Sequence, residues 1–320
     1  MSGRLVTIFG GSGFVGRHLV RALARDGWRV RVAVRRPDLA GHLQPLGGVG
    51  QIHAVQANLR YRNSIARAMA GADAVINLVG ILAESGRQKF STVQAQGARF
   101  VAEEAAKAGI THLVHVSAIG ADAGSASDYA RSKALGEAAV LSAVPTAVVL
   151  RPSIVFGPED QLFNRFANMA RFTPALPLIG GGETKFQPVY VGDVAEAAVE
   201  ALNGGAKPGA VYELGGPEVA SFKALLEYIL AVTGRSRALV NLPFAIAKMQ
   251  ASVLELLPGK LLTVDQVTLL ETDNVVSAAA AVEGRTLQGL GITPTTYESV
   301  VPSYLYAFRK HGQFEKPQAA

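Results

Sequence analysis

The chain of 320 residues contains no cysteine, which excludes disulfides, thiolate zinc sites and cysteine nucleophiles together. Its six histidines form no HExxH or comparable ligand spacing, so no metal is implied. His112 and His115 straddle a predicted strand and read as packing residues rather than ligands. Long apolar runs are missing too: none reaches the roughly 18 to 20 residues that a transmembrane helix needs. A first strand begins almost at once, which leaves no room for a signal peptide. Charge of one sign is never concentrated. Lys plus Arg number 31 and Asp plus Glu 25, a formal net charge of +6, but the basic residues are scattered and indicate no nucleic-acid surface. Attraction to an anionic membrane or an acidic partner stays open. The expectation is a cytoplasmic protein, peripheral to a membrane at most.

What is present is a hydrophobic fraction of 49% with 18% charge, enough for one large or two modest domains with a proper core. The opening LVTIFGGSGFVGRHLVRALARDG places Gly10, Gly13 and Gly16 between an apolar run and a helical pattern. A GxxGxxG string alone fits any βα turn. Following a strand and opening a helix, it fits a dinucleotide site, where side chains would keep a pyrophosphate from the helix N-terminus. Ser12, Phe14 and Val15 belong to the same turn. The second strand ends VAVRRP, with no acid until Asp38. An acid there would bind a ribose 2′-hydroxyl, whereas arginine suits a 2′-phosphate. Arg35 and Arg36 therefore point to NADP(H), the alternative being two solvated arginines.

Strands and helices alternate through the first half. QIHAVQANL, ADAVINLVG, THLVHVSAIG and TAVVLRPSIVFG read as strands three to six, with helices at RNSIARAMAG, from Phe90 to Ala108, and from Tyr129 to Leu141. Such alternation predicts an α/β fold, a doubly wound parallel Rossmann sheet with a smaller, mostly helical C-terminal lobe. A dinucleotide-binding domain is expected over 1–160, with 186–216 returning to it, and a substrate or partner lobe over 161–185 and 217–320. Ligands sit at the carboxyl ends of the strands, which makes Asn58, Leu59, Val79, Gly80, Pro152 and Ile154 further candidates for nucleotide contact. Asp193 is expected to cap a helix beginning there. The apolar segment LPFAIAKMQASVLELLPGKLL (242–262) is either a buried or lid helix or a surface for lipid, a prenylated ligand or a partner. The tail after His311 is expected to fray.

Tyr129 and Lys133 lie four apart in YARSKALGEAA and so share a helix face. Ser117 ends the preceding strand. A neighbouring ammonium favours phenolate and draws a tyrosine pKa toward a useful range. Serine can donate to a substrate carbonyl oxygen, and the lysine can hold the nicotinamide ribose. Ser117, Tyr129 and Lys133 are thus the candidate catalytic set. Arg165, Arg171 and Lys185 could line a cleft or be solvated.

With GGSGFVG, NLVG, VSAIG, YARSK, LRPSIVFGPED and QPVYVGDVAEA in this order, the chain resembles an extended, atypical short-chain dehydrogenase/reductase along almost its whole length. YARSKALGE, RPSIVFGPEDQLFNRFA, QPVYVGDVA and LGITPTTYESVVPSYL are similar, more narrowly, to the nucleotide-binding accessory subunit of respiratory complex I and its bacterial relatives. The resemblance implies tightly held NADPH at Gly10, Gly13, Gly16 and Arg35, with Tyr129 and Lys133 beside the nicotinamide. It also implies a quinone-like or other small carbonyl substrate, and association with respiratory complex I or the inner membrane surface. In the mitochondrial relatives of that group the nucleotide is thought to be structural. Asn58 stands where many members of the superfamily have Asp, a position that resembles an adenine contact. Ala118 replaces a second hydroxyl residue usual in sugar epimerases, and Ser117-Ala118-Ile119 does not supply the dehydratase set. Epimerase and dehydratase activities are not expected. Two readings remain, an NADPH-dependent reductase and a non-catalytic accessory or assembly factor. A nucleotide sensor fits less well, because such proteins often lose the tyrosine and lysine.

Overall fold

In the computed structural model, residues 3–257, 261–310 and 312 are described. They divide into two compact units. The first comprises 1–152, 191–214 and 277–293, and the second 153–190, 215–276 and 294–320.

In chain order the first unit supplies β1 (Leu5–Phe9), α1 (Phe14–Arg25), β2 (Arg29–Val34), β3 (Ile52–Gln56), α2 (Arg62–Met69), β4 (Ala74–Asn77), α3 (Gln96–Lys107), β5 (His112–Val116), α4 (Asp128–Ala143) and β6 (Val148–Pro152). The second begins with β7 (Val155–Phe156), α5 (Leu162–Phe172), β8 (Ala175–Ile179), β9 (Lys185–Phe186) and β10 (Val189–Tyr190). The chain returns to the first unit for α6 (Val191–Asn203) and β11 (Val211–Leu214). It then adds β12 (Ala220–Ser221), α7 (Phe222–Thr233), β13 (Ala238–Leu242), α8 (Phe244–Leu254) and α9 (Val264–Leu269) to the second. α10 (Ala278–Val282) belongs to the first unit, and α11 (Tyr297–Val300) and α12 (Pro302–Leu305) to the second.

The first unit is built on a seven-stranded sheet in the order β11-β6-β5-β4-β1-β2-β3. Every pair in it is parallel; Val6, for example, sits between Val30 and Ala74. Both faces are covered, so β1 and β4 are apolar and buried almost throughout, as parallel sheets require. On one face Ile65, Met69, Val101, Ala102, Leu113 and Val140 form a common core. α1 buries Leu19, Val20, Leu23 and Ala24 and is closed by Asp26, after which Gly27, with φ of 84°, takes the left-handed conformation that suits glycine. The strand order reverses direction between β1 and β4, and ligands of open α/β sheets bind at that switch.

The expected sixth strand is interrupted. Pro152 has no N–H to extend the ladder, the Ser153 hydroxyl donates to Asn274 O at 2.9 Å, and Val155–Phe156 pairs instead with β10. The expected helix from Phe90 opens with a π-helical turn, Ser91–Ala95. Asp193 does not cap α6. The helix starts two residues earlier, and Asp193 lies buried in its first turn, where a carboxylate meets the positive end of the helix dipole. Residues 277–293, expected in the second lobe, belong to the first unit. Ser277 N–H donates to Glu213 Oε2, Glu213 N–H to Arg285 O, and Arg285 Nη1 to Val211 O, so this segment is stitched to β11.

The second unit carries the expected helices, with short strands added among them. It carries three two-stranded sheets, β10-β7, β12-β9 and β13-β8, around an aromatic core of Phe156, Phe163, Phe186 and Phe222. α7 is capped by Ser221, whose hydroxyl accepts from Ala224 N. Within 242–262, the core-helix expectation fails for α8. It packs through Ala247 and Ala251, while Met249, Val253 and Leu256 are 65%, 61% and 81% exposed. Small residues bring the backbone close on one side and leave the large side chains outward. Residues 258–260 of that segment, and the tail after His311 apart from Gly312, lie outside the described residues. No helix among the described residues is long and apolar enough to cross a membrane.

Candidate functional site

The glycine turn lies at the carboxyl end of β1. Gly10 has φ +86°, and a Cβ there would press on Val79 at 3.2 Å. A Cβ on Gly16 would lie 2.5 Å from the backbone of Gly11, so α1 can approach the turn only as glycine. Gly11 was missed by the sequence reading. It sits against both Gly16 and Val32, and its only signal is the doubled glycine. Gly13 differs from both: it is exposed, and a Cβ there would meet nothing nearer than Gly10 O at 3.5 Å. It is the N-cap of α1 and offers no side-chain cap, and the first turn holds no acid. Free N–H groups with no side chain above them suit an anion. Ser12, Phe14 and Val15 are half-buried around this turn.

At the end of β2, Arg35 and Arg36 are both exposed. Arg36 is engaged as a fork, its Nε 3.1 Å from Asp38 Oδ1 and its Nη2 2.7 Å from Oδ2, and Asp38 raises its pKa further. Arg35 meets no carboxylate among the described residues. Asn58 follows β3, and its Oδ1 accepts from Arg60 N at 3.1 Å. Leu59 packs over Gly97.

The loop after β4 joins the turn to the second half of the site. Val79 N–H donates to Asn77 Oδ1, and a Cβ on Gly80 would lie 3.3 Å from Lys133 Nζ. Gly80 therefore makes room for the lysine head. Lys133 is buried, 6% exposed, and donates to Val116 O at 3.3 Å. Burial lowers its pKa to about 8, with Glu137 acting in the opposite direction. Its Nζ stands 5.8 Å from the Tyr129 ring centroid, and the Phe90 ring packs edge-on to Tyr129 at 5.8 Å. α4 starts where it does because Ser127 caps it, accepting from Ala130 N. That start sets Tyr129 and Lys133 one turn apart on the face toward β5.

Ser117 follows β5 directly. Its Oγ is buried and has no hydrogen-bond partner, an unspent donor beside Val116 O. Pro152 ends β6 and accepts from Ile119 N. Ile154 lies in the second unit and packs on its aromatic core. Arg165, Arg171 and Lys185 are also second-unit residues. Burial lowers the Arg165 pKa, Arg171 stacks on Phe172, and Lys185 is exposed.

Two further polar groups brace the site. His115 is buried on β5, 3.2 Å from Asn77 Nδ2 through Nδ1. Burial, reinforced by Lys133, pushes its pKa down to about 3 and keeps it neutral. Gln94, buried in the π-helical turn, donates to Ile81 O and accepts from Ser132 Oγ, each at 2.6 Å. It thereby ties the loop after Gly80 to the helix of Lys133. A polar residue amid small apolar ones was its only signal in the sequence, since Ser132 lies 38 residues away.

A glycine turn at the switch point, a lysine and tyrosine on one helix face, and a free hydroxyl at the next strand end define an extended short-chain dehydrogenase/reductase of Rossmann type. The chain belongs to the NAD dependent epimerase/dehydratase family, whose model matches residues 6–215. It is 37% identical to the mitochondrial NADH dehydrogenase [ubiquinone] 1 alpha subcomplex subunit 9 of Arabidopsis thaliana, over 98% of this chain and 80% of that one. It is 36% identical to a ceramide reductase of Caulobacter vibrioides over 61% of this chain and 60% of that protein. A dTDP-glucose 4,6-dehydratase from Streptomyces venezuelae, solved with NAD bound, shares the fold. Its TM-score is 0.72 at 20% identity, covering 98% of this chain and 99% of that one.

Proposed function

We propose that this protein holds NADP(H) and presents a reductase site made of Ser117, Tyr129 and Lys133 to a carbonyl or quinone-like substrate. The observation that carries the reading is the pairing of a buried Lys133 ammonium beside Tyr129 with the partnerless Ser117 hydroxyl. The residues present fit the nucleotide: Gly10, Gly13 and Gly16 leave the α1 N-terminus bare, and Arg35 offers a free guanidinium for a 2′-phosphate. Asn58, Leu59, Val79, Gly80, Pro152 and Ile154 are the further contacts proposed.

When bound, the nucleotide supplies a hydride to the substrate carbonyl carbon. Tyr129 gives its hydroxyl proton to the carbonyl oxygen as charge develops there, and Ser117 donates a hydrogen bond to the same oxygen. Lys133 stabilises the resulting phenolate and can hold the ribose. The absence of a hydroxyl at Ala118 continues to argue against sugar epimerisation.

A second reading is an accessory or assembly role, in which the nucleotide stiffens the fold. It is supported by a relative that is a respiratory subunit and matches 98% of this chain. The exposed apolar side of α8 supports docking on such a complex or on the inner membrane surface. One experiment separates the two. Fluorescence of bound NADPH is followed while quinones and long-chain ketones are added, with Tyr129→Phe as control. Oxidation that needs Tyr129 supports the reductase. No oxidation by any of them, together with co-purification of respiratory subunits, supports the accessory role.

A further inference from the structure

The carboxyl ends of β2 and β3 are adjacent in the sheet, with Val34 paired to Gln56 and Ala57 N–H donating to Val34 O at 2.8 Å. Arg35 leaves one strand at this edge, and Asn58 and Arg60 leave the other. Of the two arginines that end β2, Arg36 has its planar fork filled by Asp38. Any anion approaching it also meets the Asp38 carboxylate. Arg60 has neither handicap. It is exposed and meets no carboxylate among the described residues, its Nε resting 3.5 Å from Asn58 Oδ1.

The segment carrying Arg60 is laced in place. Asn58 Oδ1 accepts from Arg60 N, Tyr61 N–H donates to Asn58 O, Asn58 N–H donates to Ser64 Oγ, and that hydroxyl donates to Asn58 O or Tyr61 O. A rigid loop with an uncommitted guanidinium loses little freedom on binding an anion.

Resting on the proposed NADP(H) preference, we infer that the 2′-phosphate is clamped by Arg35 from β2 and Arg60 from the turn after β3. Asn58 orients Arg60, and the Arg36–Asp38 pair stands aside. Asn58 then has a reason to be an amide. An aspartate there would neutralise Arg60, whereas Asn58 holds the guanidinium by a neutral oxygen and leaves its charge for the phosphate.

The test is calorimetric binding to the full chain of adenosine 2′,5′-bisphosphate and 5′-AMP, with NADPH and NADH in parallel, at two salt concentrations. Arg60→Ala is expected to weaken the bisphosphate and NADPH roughly ten- to a hundred-fold, the usual yield of a charge-assisted bond, with 5′-AMP and NADH within about two-fold. Arg36→Ala should cost distinctly less than Arg60→Ala, and Asn58→Asp should reproduce much of the Arg60→Ala loss. Arg60→Ala that leaves the bisphosphate unchanged, or weakens 5′-AMP equally, overturns the clamp. Wild-type protein that binds 5′-AMP and NADH as tightly as the phosphorylated forms overturns the NADP(H) reading beneath it, a result recognisable before any variant is made.

Discussion

Replacing Lys133 with methionine should make the nucleotide-free protein more stable at neutral pH, while removing the ammonium that stands 5.8 Å from the Tyr129 ring centroid. Burial lowers the lysine from 10.5 to about 8 in the folded state. At 1.36 kcal/mol per pH unit this corresponds to roughly 3 kcal/mol. The sign follows from proton counts. Below pH 8 both folded and unfolded chains carry the proton, and the folded state bears the full cost of a buried ammonium. Between pH 8 and 10.5 the unfolded chain binds more protons, so wild-type stability rises with pH. Above 10.5 both forms are neutral and the cost has gone. Lys133→Met removes the cost at every pH but strands Val116 O, which loses its bond from Nζ at a cost of about 1 kcal/mol. The variant should therefore be more stable than wild type by roughly 2 kcal/mol at pH 7 and less stable by roughly 1 kcal/mol at pH 10.5. Urea unfolding of both proteins at the two pH values measures this directly. A difference between them that does not move with pH refutes the account of Lys133 as a buried, strained cation.

The glycine turn gives a paired expectation. Gly16→Ala should lose about 1–3 kcal/mol in denaturant unfolding as well as nucleotide binding, because its Cβ strikes Gly11 at 2.5 Å. Gly13→Ala should unfold like wild type yet bind nucleotide poorly, since its Cβ meets nothing nearer than Gly10 O at 3.5 Å, an ordinary contact; a Gly13→Ala protein with undiminished affinity would sink the cradle. Gln94→Leu should lower stability by about 1–3 kcal/mol, and the loss should shrink in the double variant with Ser132→Ala, because the two share one bond. Glu137→Gln should be the costliest at about 3 kcal/mol, read by thermal unfolding. It weakens the two-point grip on the Arg151 guanidinium at 2.9 and 2.6 Å and leaves Glu213, at 3.6 Å, as the one carboxylate among the described residues to balance that charge. On the second unit, Met249→Ser with Val253→Ser should leave unfolding unchanged, because both side chains are exposed. The same pair should reduce sedimentation with anionic vesicles if α8 meets lipid; equal sedimentation would set that role aside.

The first half of the fold was legible because its signals are local. Apolar runs of four to six residues, helical spacing and Gly27 punctuate β1, α1 and β2 without help from distant residues. Tyr129 and Lys133 were legible for the same reason, four positions on one helix. What escaped depends on partners far along the chain. Gln94 acquires meaning only opposite Ser132 and Ile81. The break after Pro152 needed Asn274, more than a hundred residues later, to draw Ser153 away. Alanines 247 and 251 read as mere apolar filler in a hydrophobic stretch, although they alone on α8 are buried.

The stitch between 277–293 and β11 bears on how the protein is made. β11 is the outer strand of the seven-stranded sheet, and its free N–H and carbonyl groups are covered by Arg285 and its neighbours. A chain emerging from the ribosome at roughly 5–20 residues per second would expose that edge until residue 293 has appeared. The family match stops at 215, so a fragment cut there would carry Gly10, Gly13 and Gly16 and the whole Ser-Tyr-Lys set yet keep an open flank. Bare edges template intermolecular pairing. Anyone trimming the protein for crystallisation or display should expect aggregates from that cut, and should supply 277–293 on a short linker.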